Sequence, residues 1–459
     1  MKRVLLSIVM LTLVGSAFAQ TPEEKAALKA AQKEAKAQMS KGIALRDEVN
    51  TLYNEIQAEQ EKGEKAKQGL IEANQQKISE KSQEAQELLL TALHSGNIEE
   101  KKLFELCNAL DFVSSQLLNP ELEKASQHED FDTLLFAKSV DGVCQGCYGV
   151  LQYGNPKDET QKVTIANDQL KMPKLMIYYA YLSMFYIETK NIDGAAAALD
   201  KYASFASDYP LVADDDAVVN PQYPVSQFAF NLYYTAYEMK DLENCERYYR
   251  QALEYDDPES HNFVISSRPQ LYKDLGDTIR WKAALEDMAH DYAGEEAGET
   301  AMQNLLSIAG GQGTEAMTAE ADRLLSLYPE SKVANYGKGY SLFAQEKYEE
   351  ALAYFQKSVE IDPEYIEGNF MAGMTLYRHA LENYYQYIDS KKYKTDAEMQ
   401  EAEEKYVKSY FRQAKDYFET CRALEPDKID DWAGPLQNIY KNLDETEKAA
   451  EMDALLKGA

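Results

Sequence analysis

Cys144 and Cys147 form a Cys-Gln-Gly-Cys motif, the arrangement in this sequence with the clearest reactive potential. Such a pair can lower the pKa of one thiol and cycle between dithiol and disulfide. Thioredoxin-type chemistry needs a strand-to-helix context, which the flanking segments SVDGV and YGVLQYGN do not show. Haem attachment needs His where Tyr148 stands, and zinc needs two further ligands that no second Cys pair or His spacing offers. We predict a local structural disulfide, with free thiols as the first alternative and catalysis or a metal as the least favoured.

The other candidates for chemistry lack the spacing that a catalytic or metal site requires. None of the five His residues pairs with another at a metal-binding spacing. Asp214, Asp215 and Asp216 lack the alternating ligands and terminal Glu of a calcium loop, which favours a solvated turn. The Gly-rich run 310–313 lacks the Lys-Ser/Thr ending of a phosphate loop. We therefore predict a protein that is not an enzyme, with no catalytic residue, no metal and no cofactor.

The segment 332–363 has the most informative spacing in the chain. Gly339 is followed 12 residues later by Ala351, then four later by Phe355 and eight later by Pro363. This spacing predicts two short antiparallel helices. The two small residues allow the helices to cross closely, and the Phe side chain fills the space between neighbouring pairs. Pro363 ends the second helix because its ring cannot continue it.

This segment resembles a tetratricopeptide repeat, a unit with a period of 34 residues. The resemblance implies an all-α fold, an α-solenoid in which antiparallel helix pairs stack into a right-handed superhelix. One pair cannot bury its apolar face alone, so neighbouring pairs should pack against it. Roughly five or six repeats fit the register. The further segments that fit are 177–258, 265–295, 297–329 and 366–452.

The repeat that follows residue 363 contains an insertion. Gly373 lies one period after Gly339, but Ala414 and Phe418 arrive 29 residues later than the register requires. The inserted residues, at about 380–411, are charged and rich in Tyr and have a helical composition. We predict that both helices of this repeat are extended there.

In tetratricopeptide repeats, the fifth, ninth and twelfth positions of each unit face the concave groove. Three units of this chain hold large side chains there, namely Phe230, Tyr234, Tyr237, Tyr336, Tyr340, Phe343, Phe370, Met374 and Tyr377. Tyr combines apolar area with a hydroxyl group, which suits contact with a peptide. These residues are predicted to bind a partner, and packing against adjacent helices or the insertion is the alternative. Gly337, Tyr340 and Ala344 occupy positions where some family members hold a carboxylate clamp, so an apolar or aromatic groove is expected instead.

The N-terminus has the features of a cleavable signal peptide spanning residues 1–19. Lys2 and Arg3 precede the apolar run LLSIVMLTLV, and Ala17-Phe18-Ala19 is a small-x-small cleavage site. This predicts export, with the periplasm as the simplest location and release from the cell as the alternative. The chain has no later apolar run of about 20 residues, the length that a membrane-spanning helix needs.

The remaining chain is predicted to contain three parts. Residues 20–118 show helical periodicity and form an N-terminal helical region. Residues 119–173 carry repeated Gly and Pro and are predicted to be an irregular connector that contains the Cys pair. Residues 174–459 form the repeat array.

The formal net charge of −30 disfavours nucleic acid and anionic membranes, which require basic patches. A protein or peptide partner remains, and the sequence does not indicate an oligomeric state. We predict an exported, non-catalytic scaffold for protein–protein interaction. The alternatives are a thiol–disulfide redox protein that uses Cys144 and Cys147, and a glycan-binding component of an uptake system. The glycan alternative has only Trp281 and Trp432 to stack on sugars, and both fall at packing positions.

Overall fold

The computed structural model describes residues 21–127, 130–389 and 393–458. The predicted signal peptide, residues 1–19, lies outside these ranges. Within them all regular elements are helical and no strand occurs, so the predicted all-α fold is confirmed. Among the described helices, none combines the length and apolar character that crossing a membrane requires.

The chain divides into two compact units, Met1–His261 and Asn262–Ala459. The longer helices that begin in the first unit are α1 (Pro22–Gln60), α2 (Gln68–His94), α3 (Glu100–Ser126), α4 (Thr133–Tyr153), α5 (Lys162–Glu188), α6 (Ile192–Asp208), α7 (Val225–Met239), α8 (Leu242–Ala252) and α9 (Pro258–Asp274). Those of the second unit are α10 (Thr278–Asp291), α11 (Glu296–Gly310), α12 (Thr314–Leu327), α13 (Lys332–Ala344), α14 (Tyr348–Ile361), α15 (Ile366–Asn383), α16 (Asp396–Glu403), α17 (Ser409–Leu424), α18 (Ile429–Asn442) and α19 (Thr446–Gly458).

From α5 onward, apart from the short α16, the helices form consecutive antiparallel pairs, and five of these pairs share one turn geometry. In these five, the residue two positions before the second helix adopts a left-handed conformation, and the next amide donates to the carbonyl five residues earlier. This is the Schellman pattern, which satisfies a carbonyl left unpaired at the end of a helix. The left-handed residues are Lys190, Lys240, Gly276, Glu346 and Asp444. The same turn inside successive pairs is evidence for tandem repeats, in agreement with the predicted α-solenoid.

The close crossing predicted at Gly339 is confirmed. A Cβ atom on this residue would lie 2.8 Å from the Phe355 ring and 3.2 Å from the Ala351 carbonyl oxygen. Gly373 meets the Phe418 ring in the same way in the next repeat, at 3.0 Å. In these two pairs, small residues therefore bring the helices together, and the buried Phe rings fill the space between them.

A second periodic feature is a side-chain hydrogen bond that was not anticipated from the sequence. Asn335 donates to the carbonyl oxygens of Pro329 and Ser331, at 3.1 and 2.8 Å. Asn369, one 34-residue period later, donates to Pro363 at 2.9 Å. Both amides are buried, so these bonds satisfy carbonyl groups in the turn that joins one pair to the next.

The predicted irregular connector, residues 119–173, is wrong in this structure. Helix α3 continues through Pro120, α4 spans most of the Gly-rich part, and α5 continues through Pro173. The glycines of α4 are packing residues. A Cβ atom on Gly142 would lie 2.3 Å from Ser114 Oγ, and one on Gly146 would lie 2.5 Å from the Asp111 amide nitrogen. Gly residues predicted to break helices instead allow α4 to approach α3 closely.

The predicted insertion at about 380–411 contains further helical turns. Helix α15 passes into a π-helical segment at Tyr384–Asp389, and α16 passes into another at Glu404–Lys408, which leads to α17. The two π-helical segments contact each other through the rings of Tyr387 and Tyr406, which stack at a centroid distance of 4.3 Å.

Candidate partner-binding site

An open cavity of about 340 Å³ lies along the first helices of three consecutive pairs in the second unit. Helices α13, α15 and α18 contribute most of its lining, and the end of α17 contributes the rest. The lining residues are Tyr336, Tyr340, Ile366, Glu367, Phe370, Met371, Cys421, Glu425, Lys428, Asp431 and Trp432. Three of them, on α13 and α15, belong to the predicted groove-facing set.

Tyr340 is the most exposed aromatic residue in this lining, with 44% of its surface accessible. It also lines a second cavity of about 350 Å³ on the other side of α13. Leu306 and Met317 of the preceding pair contribute apolar surface there. Tyr340 therefore stands between two depressions formed by successive pairs. Its ring offers apolar area and a hydroxyl group to a chain that follows both depressions.

The floor of the first cavity is held rigid by aromatic packing. The ring of Tyr336 lies 5.8 Å from that of Phe355 and 5.7 Å from that of Tyr365. Burial, with a contribution from the charge of Glu367, raises the pKa of Tyr336 to about 12. Phe370 packs edge-on against Phe418 at 6.0 Å. These side chains shape the cavity because neighbouring helices fix their positions.

The rim of the first cavity is acidic. Glu367, Glu425 and Asp431 face one cation, Lys428, whose ammonium lies 2.8 Å from a Glu425 carboxylate oxygen. The remaining carboxylates favour a positively charged group on any ligand that enters. We did not single out these residues from the sequence. Glu367 and Asp431 lie in the acidic first turns of α15 and α18, and this pattern could have indicated them.

Three other predicted residues of the second unit lie outside the lining of the first cavity. Phe343 packs against Tyr348 at 5.2 Å and lies under the Arg378 guanidinium. Met374 and Tyr377 pack against the core formed by α15, α17 and α18. The Tyr377 hydroxyl also has a hydrogen bond with Asn438, while burial raises its pKa. The packing alternative describes these three positions better than partner contact.

The remaining predicted residues, Phe230, Tyr234 and Tyr237, lie on α7 in the first unit. The Phe230 ring contacts those of Tyr234 and Tyr255, at 6.3 and 5.8 Å. Tyr234 is exposed and Tyr237 is half-buried. Their role as partner contacts stays a prediction.

The disulfide predicted between Cys144 and Cys147 is not formed, and both are free thiols. They lie one turn apart on α4 and are fully buried. Desolvation raises the pKa of Cys144 to about 12, with a smaller opposing effect from its hydrogen bond to Tyr179. Burial also raises the pKa of Cys147. A thiol held protonated and away from solvent is a poor nucleophile, so this environment does not favour redox exchange.

Each Trp ring has a cation over one face, and neither residue is exposed. Trp432 is buried, its indole nitrogen donates to the Glu425 carbonyl at 3.0 Å, and the Arg422 guanidinium covers its ring. The ammonium of Lys273 lies over the ring of Trp281, 5.4 Å from its centroid. These contacts agree with the packing positions predicted for both residues.

The family model of the tetratricopeptide repeat matches residues 333–365. No curated protein matches the chain. Similar solved structures include a monomeric IFIT1 mutant with Gppp-AAAA, at 13% identity over 77% of this chain and 73% of that chain, with a TM-score of 0.30. Another is a circular tandem repeat protein with a novel repeat topology, at 11% identity over 93% of this chain and 96% of that chain, with a TM-score of 0.19. Because these TM-scores are low, neither likeness carries a conclusion about ligands.

Proposed function

We propose that this tetratricopeptide-repeat protein is a non-catalytic scaffold that binds a partner polypeptide along the first helices of its second unit. The observation that carries the proposal is the position of Tyr340. An aromatic side chain with 44% exposure stands between two cavities, each of about 340 to 350 Å³. Large aromatic residues in preformed depressions are the usual anchors of protein interfaces.

The chemistry of the first cavity specifies the kind of segment that fits. Ile366, Phe370 and Met371 offer an apolar floor, which favours an aliphatic or aromatic side chain of the partner. Glu367 and Asp431 at the rim favour a Lys or Arg beside that anchor. We therefore expect an extended or helical segment in which an apolar residue has a basic neighbour.

Export to the periplasm is part of the proposal and rests on the signal-like segment 1–19. The acidic composition supports a basic protein partner over nucleic acid, because phosphate binding requires cationic surfaces. The buried state of Cys144 and Cys147 makes thiol exchange a weaker candidate.

The experiment places a photo-activated cross-linking amino acid at position 340 of the full chain in its native cell. We expect cross-linking to one or a few proteins, identified by mass spectrometry, through a short segment with an apolar residue next to Lys or Arg. Position 181 is the matched control, because Tyr181 is also 44% exposed but lies in the first unit on α5.

The cross-linked products at positions 340 and 181 decide whether the partner is captured at the proposed site. Products specific to position 340 support capture at this site. Equal cross-linking patterns at positions 340 and 181, or products that contain no protein, would overturn the proposed site.

A further inference from the structure

A buried polar cluster lies in the first unit, where α3, α4 and α5 meet. Asp111, Cys147 and Asp168 come from these three helices in that order. One ligand-type atom from each, two carboxylate oxygens and a sulfur, all lie within 4.8 Å of one another. Cys147 is completely buried and Asp168 is 4% exposed. The groups that most readily hold a cation thus converge from three separate helices.

A second observation points to a missing ligand. The Asp168 Oδ2 atom is buried and has no hydrogen-bond partner among the described residues. Buried carboxylates are normally paired, because leaving one unpaired in an apolar interior is costly. The Asp168 carboxyl group also has a hydrogen bond with Cys147, so its side chain belongs to the cluster, and a bound cation would give the carboxylate the further partner that Oδ2 lacks.

Helix packing explains why these residues meet. Gly146 lets the α4 backbone approach so closely that an added Cβ atom would lie 2.5 Å from the Asp111 amide nitrogen. The approach places the neighbouring residue, Cys147, against Asp111. A Cβ atom on Gly149 would likewise lie 2.2 Å from the Cys107 sulfur. The glycines on both sides of Cys147 therefore fix its sulfur at the junction.

We propose that Asp111, Cys147 and Asp168 bind one zinc ion, with a water molecule as the fourth ligand. A thiolate together with carboxylates suits zinc, which accepts sulfur and oxygen donors in tetrahedral geometry. Magnesium and calcium prefer oxygen ligands alone. On binding, Cys147 loses its thiol proton to solvent as the sulfur–zinc bond forms.

Lys171 completes the charge balance from the solvent side. Its ammonium lies 2.6 Å from Asp111 Oδ1 and 3.0 Å from Ser115 Oγ, and its side chain is 35% exposed. One thiolate and two carboxylates balance one zinc ion and this ammonium, so the buried group is neutral overall. Lys171 and Ser115 also orient Asp111, as outer partners of metal ligands commonly do.

The spacing of Cys and His along the chain could not indicate this site. From the sequence we expected no metal, because Cys147 has no second Cys pair and no His at a metal-binding spacing. The additional ligands are Asp residues 36 positions before and 21 positions after Cys147. Only helix packing reveals that they meet.

The test is equilibrium dialysis of the full chain against zinc, with metal content measured by mass spectrometry. We expect about one tightly bound zinc per chain, as for a three-ligand site. Replacing zinc with cobalt should produce a thiolate-to-cobalt charge-transfer band. Cys147→Ser and Asp168→Asn should weaken zinc binding by more than the roughly 10- to 100-fold that loss of an outer partner causes. Circular dichroism checks that both variants remain folded.

The matched control is Cys245→Ser, which alters another buried thiol on α8 and should leave zinc binding unchanged. Failure of the unaltered chain to retain zinc would overturn the proposal. Equal zinc retention by the folded Asp168→Asn variant would also overturn it, because the metal would then be held by other acidic side chains.

Discussion

Tyr340 and Tyr336 differ in role although they lie one helical turn apart on α13. Tyr336 packs against rings on both sides and forms part of the cavity floor. Tyr340 leaves nearly half its surface in solvent at the junction of two cavities. The packed residue shapes the site, and the exposed residue is available for contact. The repeat pattern assigns both tyrosines to the groove, and their different burial distinguishes their roles.

Tyr336 predicts a specific dependence of stability on alkaline pH. Its pKa is raised from 10.0 to about 12 by burial, followed by the effect of Glu367. The folded state holds the phenol proton more tightly, so this contribution is fully present below pH 10 and is lost between pH 10 and 12. We expect Tyr336→Phe to reduce the loss of unfolding free energy across that window.

The measurement is urea unfolding of both proteins at a series of pH values. The difference between the two proteins in how unfolding free energy changes with pH reports the Tyr336 phenol alone, because all other titrating groups are shared. Equal losses of stability between pH 10 and 12 in the two proteins would contradict the raised pKa.

At the scale of helices, the recurring turn explains how five of the pairs close. Glu346 has a positive φ of 63°, a conformation that side chains with a Cβ atom adopt at an energetic cost. The following amide, from Lys347, donates to the Leu342 carbonyl at 3.0 Å and secures the turn. The hydrogen bond and the second helix hold Glu346 in this conformation.

Replacing Glu346 with Gly should stabilise the protein by about 1 kcal/mol, because Gly adopts a positive φ without strain. Glu350→Gly is the control, since this exposed residue lies inside α14 and Gly there should cost about 1 kcal/mol. Thermal or urea unfolding measures both changes. A loss of stability in Glu346→Gly comparable to that in Glu350→Gly would contradict the role assigned to the turn.

The sequence predicted elements well where several residues together indicated one structure. Gly339 with Ala351 and Phe355 indicates a helix pair because their spacing matches a close crossing. The Gly-rich segment around Cys144 was misassigned because Gly both ends helices and permits close helix packing. The partner residues on α3 decide between these roles, and they are distant in sequence. The same limitation concealed the acidic rim and the cluster at Asp168.

At the scale of the whole molecule, the net charge of −30 sets the context for binding. Many carboxylates are solvated or paired with Lys and Arg at the surface, and such pairs contribute little stability. Long-range attraction would nevertheless speed the approach of a basic partner and weaken as salt is added. In the proposed function, the cavity would supply the contacts that discriminate among such partners. Charge across the chain and shape at Tyr340 would then act at different stages of capture.

The most direct measurement is the affinity of the segment cross-linked at position 340 for purified Tyr340→Ala, Tyr181→Ala and unaltered protein. We predict that Tyr340→Ala weakens binding at least about tenfold, the effect of losing an aromatic anchor, while unfolding free energy changes little. Tyr181→Ala should bind as the unaltered protein does. Equal affinities for all three proteins would contradict the claim that the partner is held at this site.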